Sequence, residues 1–375
     1  MGNSVLAERE HSTLSASASH RWLACTASVK FTAGMPDSAS AYAEEGTRAH
    51  ELCAWKVAEM FKVQGVKKPD FKYDSATEEC ADGYAAFIAE KMTDRAAIFL
   101  EQRVDYSDYT APGSFGTADC VIVAGDTLKI VDYKHGVGVP VECDHNPQLM
   151  LYALGAYGAL KDLYDIKNVE MSIYQPRIGN ISTWATSMQE LIDTATSVFK
   201  PKAEEAISDK GNFCAGEWCR FCKGKQLCRE RARANLSQAR EDFKLPPELS
   251  NTEVAEILTK VDQIIAWCTD IKDYALESAL KGEKFTGFKL VYGRSIRKYS
   301  DEEKVADAVK AEGLDPYAHK LLGITDMTKL LGKKRFDELL GSYIVKPQGK
   351  PTLVPDSDKR PEMALSDFSE FAQSK

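Results

Sequence analysis

The sequence predicts a mixed α/β fold, a central mixed sheet flanked by helices, followed by a mainly helical C-terminal region. Three observations carry this. Gly116–Gly136 reads as a β-hairpin, with short β-branched runs at Cys120–Val123 and Leu128–Val131 and a turn at Ala124-Gly125-Asp126. Strand-like runs at 98–106 and 168–175 stand among stretches of helical periodicity, as in a sheet covered by helices. Past Leu245-Pro246-Pro247-Glu248 helical spacing dominates. This places one domain at 1–240 and a second at 245–375, with the Pro-rich stretch as linker.

The 375 residues are 44% apolar and 28% charged, an ordinary globular composition with room for a sizeable core. No apolar run approaches the roughly 20 residues of a membrane span. The first twenty residues are rich in Ser and Ala and lack an apolar stretch, so no secretory signal is expected and a cytoplasmic location follows. The net charge of −8 argues against a nucleic-acid binder that uses its whole surface, although the basic residues are clustered. Ten cysteines without a signal segment read as metal ligands or free thiols.

In chain order, Arg21–Lys30 reads as a short helical segment carrying Cys25. A long helix is expected over Ser40–Lys62, with Ser40 as N-cap, His50 within it and Gly46 as a point of close approach. Ser75-Ala76-Thr77-Glu78 reads as a capping box for a helix to about Ala97. Ile98–Tyr106 follows as a strand whose Glu101 is either a solvated charge or an aid to a metal. His135 and His145, after the hairpin, read as surface imidazoles. Asn146-Pro147 opens a helix by cap and first-turn proline, and puts Gln148 and Tyr152 on one face. An amide and a phenol there suit phosphate contacts or base stacking. Asn168–Gln175 is a further strand, with Arg177 past its end, and Met188–Lys200 resumes helix. A helix is expected from Asn251 or Thr252 to about Lys281. A hairpin at Phe285–Lys298 would mix Lys289, Arg294, Arg297 and Lys298 with Phe288 and Tyr292, and an extended tail follows.

The chemistry concentrates on the first hairpin. Asp119 enters one strand and Asp132 leaves the next, so antiparallel pairing brings them together. Lys134, two residues on, points to the same face as Asp132. Facing carboxylates call for a cation between them, and hard oxygen donors suit Mg2+ or Mn2+. A second constellation is Cys219, Cys222 and Cys228, spaced C-x2-C-x5-C and flanked by Lys223, Lys225, Arg229, Arg231 and Arg233. Such spacing holds a soft metal or an iron–sulfur cluster, and a fourth thiolate would come from Cys214 or from Cys25.

The motifs G-x-x-D and D-x-K, preceded by G-T-x-x-H ending at His50 and followed by Q-x-x-x-Y from Gln148 to Tyr152, resemble the RecB-like branch of the PD-(D/E)xK nucleases. With Cys25 ahead of them and C-x2-C-x5-C behind, the region 25–228 is similar to the iron–sulfur-staple members, the AddB nuclease domain and the CRISPR-associated RecB-like exonucleases. The whole chain also looks like a phage and prophage family of such proteins with an added C-terminal region. The resemblance implies a restriction-endonuclease-like core and a metal held by His50, Asp119, Asp132 and the Tyr133 carbonyl. It implies Lys134 positioning water, Gln148 and Tyr152 on the DNA strand, and a [4Fe–4S] cluster on Cys25, Cys219, Cys222 and Cys228. The implied activity is DNA hydrolysis, exonucleolytic, in phage recombination or replication, with DNA and phage recombination or replication proteins as partners in the host cytoplasm. A non-catalytic iron–sulfur DNA-binding or assembly module and a zinc-stabilised scaffold are the competing readings.

Overall fold

The computed structural model describes residues 12–35, 41–241, 251–292, 299–317, 321–345 and 361. Its elements are α1 (Ser19–Ala24), α2 (Ser28–Phe31), α3 (Ala41–Phe61), α4 (Ser75–Lys91), β1 (Ala97–Asp105), β2 (Phe115–Ala124), β3 (Thr127–Tyr133), α5 (Pro147–Leu160), β4 (Asn168–Gln175), β5 (Asn180–Ser187), α6 (Met188–Thr194), α7 (Lys200–Ile207), α8 (Arg229–Glu241), α9 (Asn251–Leu280), α10 (Glu302–Ala311), α11 (Ile324–Leu331) and α12 (Lys333–Leu340).

The strands form one five-stranded mixed sheet in the order β1-β2-β3-β4-β5. Every neighbouring pair is antiparallel except β3 and β4. A parallel pair needs a long crossover, and α5 supplies it. Asn146 caps α5 by accepting from the Gln148 and Leu149 N–H groups, with Pro147 in the first turn. The β2–β3 hairpin closes on Gly125, whose φ of 63° is the left-handed conformation a two-residue loop calls for.

Side chains alternate across the strands and divide the core in two. Cys120, Ile122, Val131 and Tyr133 face α3 and α4, against Leu52, Val57, Tyr84 and Ile88. Val121, Val123, Leu128 and Ile130 face the other way, against Leu149, Leu151 and Leu154 of α5 and against α6 and α7. Gly155 makes that second layer possible: a Cβ there would lie 2.9 Å from Val104 Cβ and 3.1 Å from the Asp105 carbonyl oxygen.

Several local expectations change. The helix after Tyr73 is capped by Asp74, which accepts from Thr77 N–H, and ends at Lys91. Asn180–Ser187 is an edge strand without an expectation in the sequence; alternately half-buried and exposed, it lacks an apolar run to mark it. A Cβ on Gly46 would meet nothing within 4 Å, so close approach does not explain that glycine. Phe285–Tyr292 is not a strand, and no strand occurs among the described residues of the C-terminal region. Arg294, Arg297, Lys298, the Ser40 cap, the linker at 245–248 and the tail at 351–360 lie outside the described residues.

The chain divides into two compact units, Met1–Ser278 and Ala279–Lys375. The second is helical, built from α10, α11 and α12, with Ala306 and Phe336 buried. Among the described residues no helix is long and apolar enough to cross a membrane.

Gly155→Ala should lower the stability of the protein by about 1–3 kcal/mol, because α5 must retreat from β1 to admit a methyl group. Urea unfolding followed by circular dichroism reads this directly, and an unchanged midpoint would mean that the contact is not tight in solution.

Candidate functional site

The register of the sheet lines up three acids. One step beyond the Cys120↔Val131 pair, Asp132 stands opposite Asp119. On the other side, Glu101 stands opposite Asp119 between the paired Leu100↔Cys120 and Gln102↔Ala118. The β1–β2 ladder is interrupted there and Glu101 has a φ of 49°. A positive φ is costly for a residue with a side chain and marks sites where surroundings impose it. The sequence holds no sign of that conformation, which is why Glu101 reads from sequence as a solvated charge or an aid to a metal without a choice between them.

His50 arrives from α3. Its Nδ1 lies 3.2 Å from Asp119 Oδ1, and its ring packs edge-on against Tyr133 at 5.4 Å. Donor atoms of His50, Glu101 and Asp119 all lie within 4.8 Å of one another, a spacing that a single cation can span. Asp119 Oδ2 also accepts the Tyr133 N–H at 2.8 Å, which ties the middle of β2 to the end of β3; β2 begins at Phe115, so Asp119 does not enter the strand as the sequence suggests. Asp132 does not belong to that tight set. It is 2% exposed, with Oδ2 3.0 Å from Lys134 Nζ and Oδ1 accepting from Gln148 Nε2 at 3.2 Å. No well-aligned hydrogen bond reaches Asp132 Oδ2, which leaves acceptor capacity in a buried place. Lys134 Nζ in turn donates to Gln148 Oε1 at 3.1 Å.

The charges bear on one another. Burial favours the neutral carboxyl of Asp119, but the neighbouring His50 outweighs it and holds the pKa below the usual carboxylate range. Asp132 goes the other way: burial, with the charge of Asp119, outweighs Lys134 and raises it. Burial works against a charged His50, yet Asp119 and then Asp132 lift its pKa to about 9. Two buried carboxylates thus draw positive charge to themselves, the condition in which a divalent cation binds. The donor set, one imidazole and carboxylate oxygens, fits Mg2+ or Mn2+.

Gln148 and Tyr152 share a helix face as expected, but Tyr152 is 6% exposed and offers no open ring for a base. Its hydroxyl accepts from Gln148 Nε2 at 3.2 Å. The ring lies so close to β2 that a Cβ on Gly116 would come within 2.8 Å of it, which accounts for glycine at the head of G-x-x-D. Gln148 therefore acts inward here, on Asp132, Lys134 and Tyr152. His135 is buried, not a surface imidazole: Nδ1 meets the Tyr133 hydroxyl at 2.8 Å and Nε2 meets Glu45 Oε1 at 3.3 Å. His145 does lie at the surface, against Trp184.

The cysteines form a separate pocket. Cys25, Cys214, Cys219, Cys222 and Cys228 line one small cavity together with Phe31, Phe213 and Trp218. The segment after α1 docks there through its backbone: Ala27 N–H donates to the Asn212 carbonyl at 3.2 Å, and Asn212 N–H to Thr26 Oγ1 at 2.8 Å. Gly211 and Gly224 permit the approach, since a Cβ would lie 2.8 Å from the Ala27 backbone and 2.3 Å from the Phe31 ring. Cys25 is buried, and burial raises its thiol, with the nearby Cys222 and Cys228 adding to the effect. Cys214 is exposed. Among the described residues no three cysteine sulfurs lie within 4.8 Å of one another. The basic flank is mostly committed: Lys225 and Arg231 pair with Asp270 at 2.7 and 2.6 Å, and Arg233 pairs with Glu230.

These features define a class: a mixed α/β protein with a buried acid–histidine–lysine cluster at one end of its sheet and a cysteine-lined pocket that joins distant segments. The chain belongs to the family described as "Protein of unknown function (DUF2800)", whose signature matches residues 11–361. A solved structure titled "Crystal structure of SSO0001" is similar at 15% identity over 50% of this chain and 98% of that one, with a TM-score of 0.22.

Titration with Mn2+ tests the cation site without any substrate. His50→Ala and Glu101→Gln should each weaken binding at least tenfold, on the order seen when metal-site partners are removed. Equal affinity in Glu101→Gln and wild type would remove Glu101 from the ligand set.

Proposed function

We propose that this protein is a metal-dependent deoxyribonuclease that hydrolyses phosphodiester bonds, acting as an exonuclease in phage recombination or replication. The observation that carries the reading is the convergence of Glu101, Asp119, Asp132, His50 and Lys134 on one sheet end. A module that only binds DNA has no need of a lysine held against buried acids, and this favours catalysis over the non-catalytic alternative.

His50, Glu101 and Asp119 would hold Mg2+ or Mn2+, with Asp132 opposite Asp119 in the sheet register and the Tyr133 carbonyl kept as a further candidate ligand from the resemblance. When bound, such a cation polarises a phosphoryl oxygen and makes its water more acidic. Lys134 is fixed between Asp132 and Gln148, so its ammonium is positioned to orient the attacking water and to offset charge that develops on the phosphorus centre. Gln148 keeps Asp132 and Lys134 in register, and Tyr152 buttresses Gln148 from the core. The core is read as restriction-endonuclease-like, in keeping with the order of these motifs along the sheet.

For the second pocket we propose a [4Fe–4S] cluster on Cys25, Cys219, Cys222 and Cys228. The cavity these four cysteines line together supports it, as does the burial of Cys25 near Cys222 and Cys228. The cluster would lock the contact between 25–27 and 211–214, closing a loop that spans nearly the whole first domain.

Digestion of end-labelled DNA in Mg2+ or Mn2+ tests the activity. Asp119→Ala, Asp132→Ala and Lys134→Ala should each reduce turnover about 100- to 1,000-fold, on the order of losing a main electrostatic contributor, while the fold is kept. Full turnover by purified Asp132→Ala would defeat the mechanism. Cys25→Ser should bleach the brown protein and lower its iron content as much as Cys222→Ser does, and Cys214→Ser should change neither. The reverse pattern would make the cysteine site local.

A further inference from the structure

Arg177 lies past the end of β4, where sequence alone assigned it nothing. The parallel pairing of β3 with β4 runs to Tyr133↔Tyr174, and Lys134 N–H continues it by donating to the Tyr174 carbonyl at 2.9 Å. Both chains therefore leave the sheet together at the end that carries Asp132 and Lys134. The carboxyl ends of parallel strands are where α/β sheets receive ligands.

The guanidinium is held from one side. Nη1 donates to Glu45 Oε1 at 2.9 Å and to the His135 carbonyl at 3.4 Å. Glu45 belongs to α3, the helix that carries His50, and also meets His135. Among the described residues all hydrogen bonds of Arg177 run through Nη1, and the side chain is 35% exposed. Its Nε–H and Nη2–H edge is thus uncommitted, and this is the edge that grips two oxygens of a phosphate side by side. Arg231, by contrast, is 7% exposed and locked onto Asp270.

We infer that Arg177 is a phosphate-contact residue: it takes a phosphate of the bound strand on its Nε–Nη2 edge, while Glu45 and the His135 carbonyl hold the other nitrogen in place. This rests on the nuclease reading above. The phosphate is either an internal backbone phosphate or a terminal monoester, and both offer the same paired oxygens. Glu45 positions Arg177, and its negative charge works against an approaching phosphate.

The test measures binding of fluorescent oligonucleotides with Ca2+ in place of Mg2+, across a range of salt, for the full-length wild type, Arg177→Gln, Arg177→Lys and Glu45→Gln. Circular dichroism checks each fold, and cleavage by wild type in Mg2+ runs in parallel. Arg177→Gln should raise Kd roughly tenfold and reduce the salt slope by about one phosphate contact. Arg177→Lys should restore the slope but only part of the affinity, since an ammonium is a point charge. Glu45→Gln should bind as tightly as wild type or more tightly. Loss with both 5′-phosphorylated and 5′-hydroxyl strands supports a backbone phosphate, and loss only with the phosphorylated strand supports a terminal one. If Arg177→Gln and Glu45→Gln weaken binding alike, the pair is a clamp on α3 and the inference is overturned. If wild type binds and cleaves DNA while Arg177→Gln keeps its Kd and slope, the phosphate contact alone fails. If wild type neither binds nor cleaves DNA, the nuclease reading falls and takes this contact with it.

Discussion

Two carboxylates, Asp119 and Asp132, are drawn into the end of a sheet by the pairing of β2 with β3, and that burial governs what surrounds them. An ionised group taken from water costs several kcal/mol unless charge and hydrogen bonds compensate. The compensation comes from several elements: His50 from α3, the Tyr133 N–H from β3, Lys134 from the strand end and Gln148 from α5. Remove the hairpin register and none of these has a reason to converge. The layers on either side serve the same end, since α3 and α5 must pack on opposite faces of the sheet to deliver a histidine from one and an amide from the other.

The cysteine pocket solves a different problem. The segment holding Cys25 begins the described chain and the C-x2-C-x5-C loop lies near the end of the first domain, yet backbone hydrogen bonds and two glycines bring them into contact. Closure of so long a loop removes conformational freedom from the unfolded chain, and any group that bridges the thiols deepens that effect. The basic residues beside the loop are turned to the same structural purpose, with Asp270 of α9 gathering Lys225 and Arg231.

Much of this was legible residue by residue. The hairpin, its two aspartates and the direction of Lys134 follow from strand periodicity and turn chemistry, and the cap on α5 follows from Asn146-Pro147. Other features were not. Asn180–Ser187 is half-exposed and polar, so it shows no apolar run. Tyr152 has the same helical spacing to Gln148 whether its ring meets solvent or Gly116, and only packing against β2 decided for the core. His135 reads as a surface imidazole from sequence because nothing local signals that Tyr133 and Glu45 enclose it.

By itself the sequence determined which residue types stand at the ends of which strands and helices, because turns, caps and side-chain alternation are set by neighbours a few positions apart. It thereby determined that two acids and a lysine share a sheet end, and that three cysteines stand close together in one short loop. Tertiary structure alone decided that Glu101 joins His50 and Asp119, that Cys25 is buried among the distant cysteines while Cys214 stays exposed, and that Arg177 meets Glu45. Those meetings join residues 18 to 203 positions apart, and the strained φ at Glu101 is imposed from outside its own segment. Contacts at that range are fixed by how the layers pack and how the sheet orders its strands, and no local pattern encodes them.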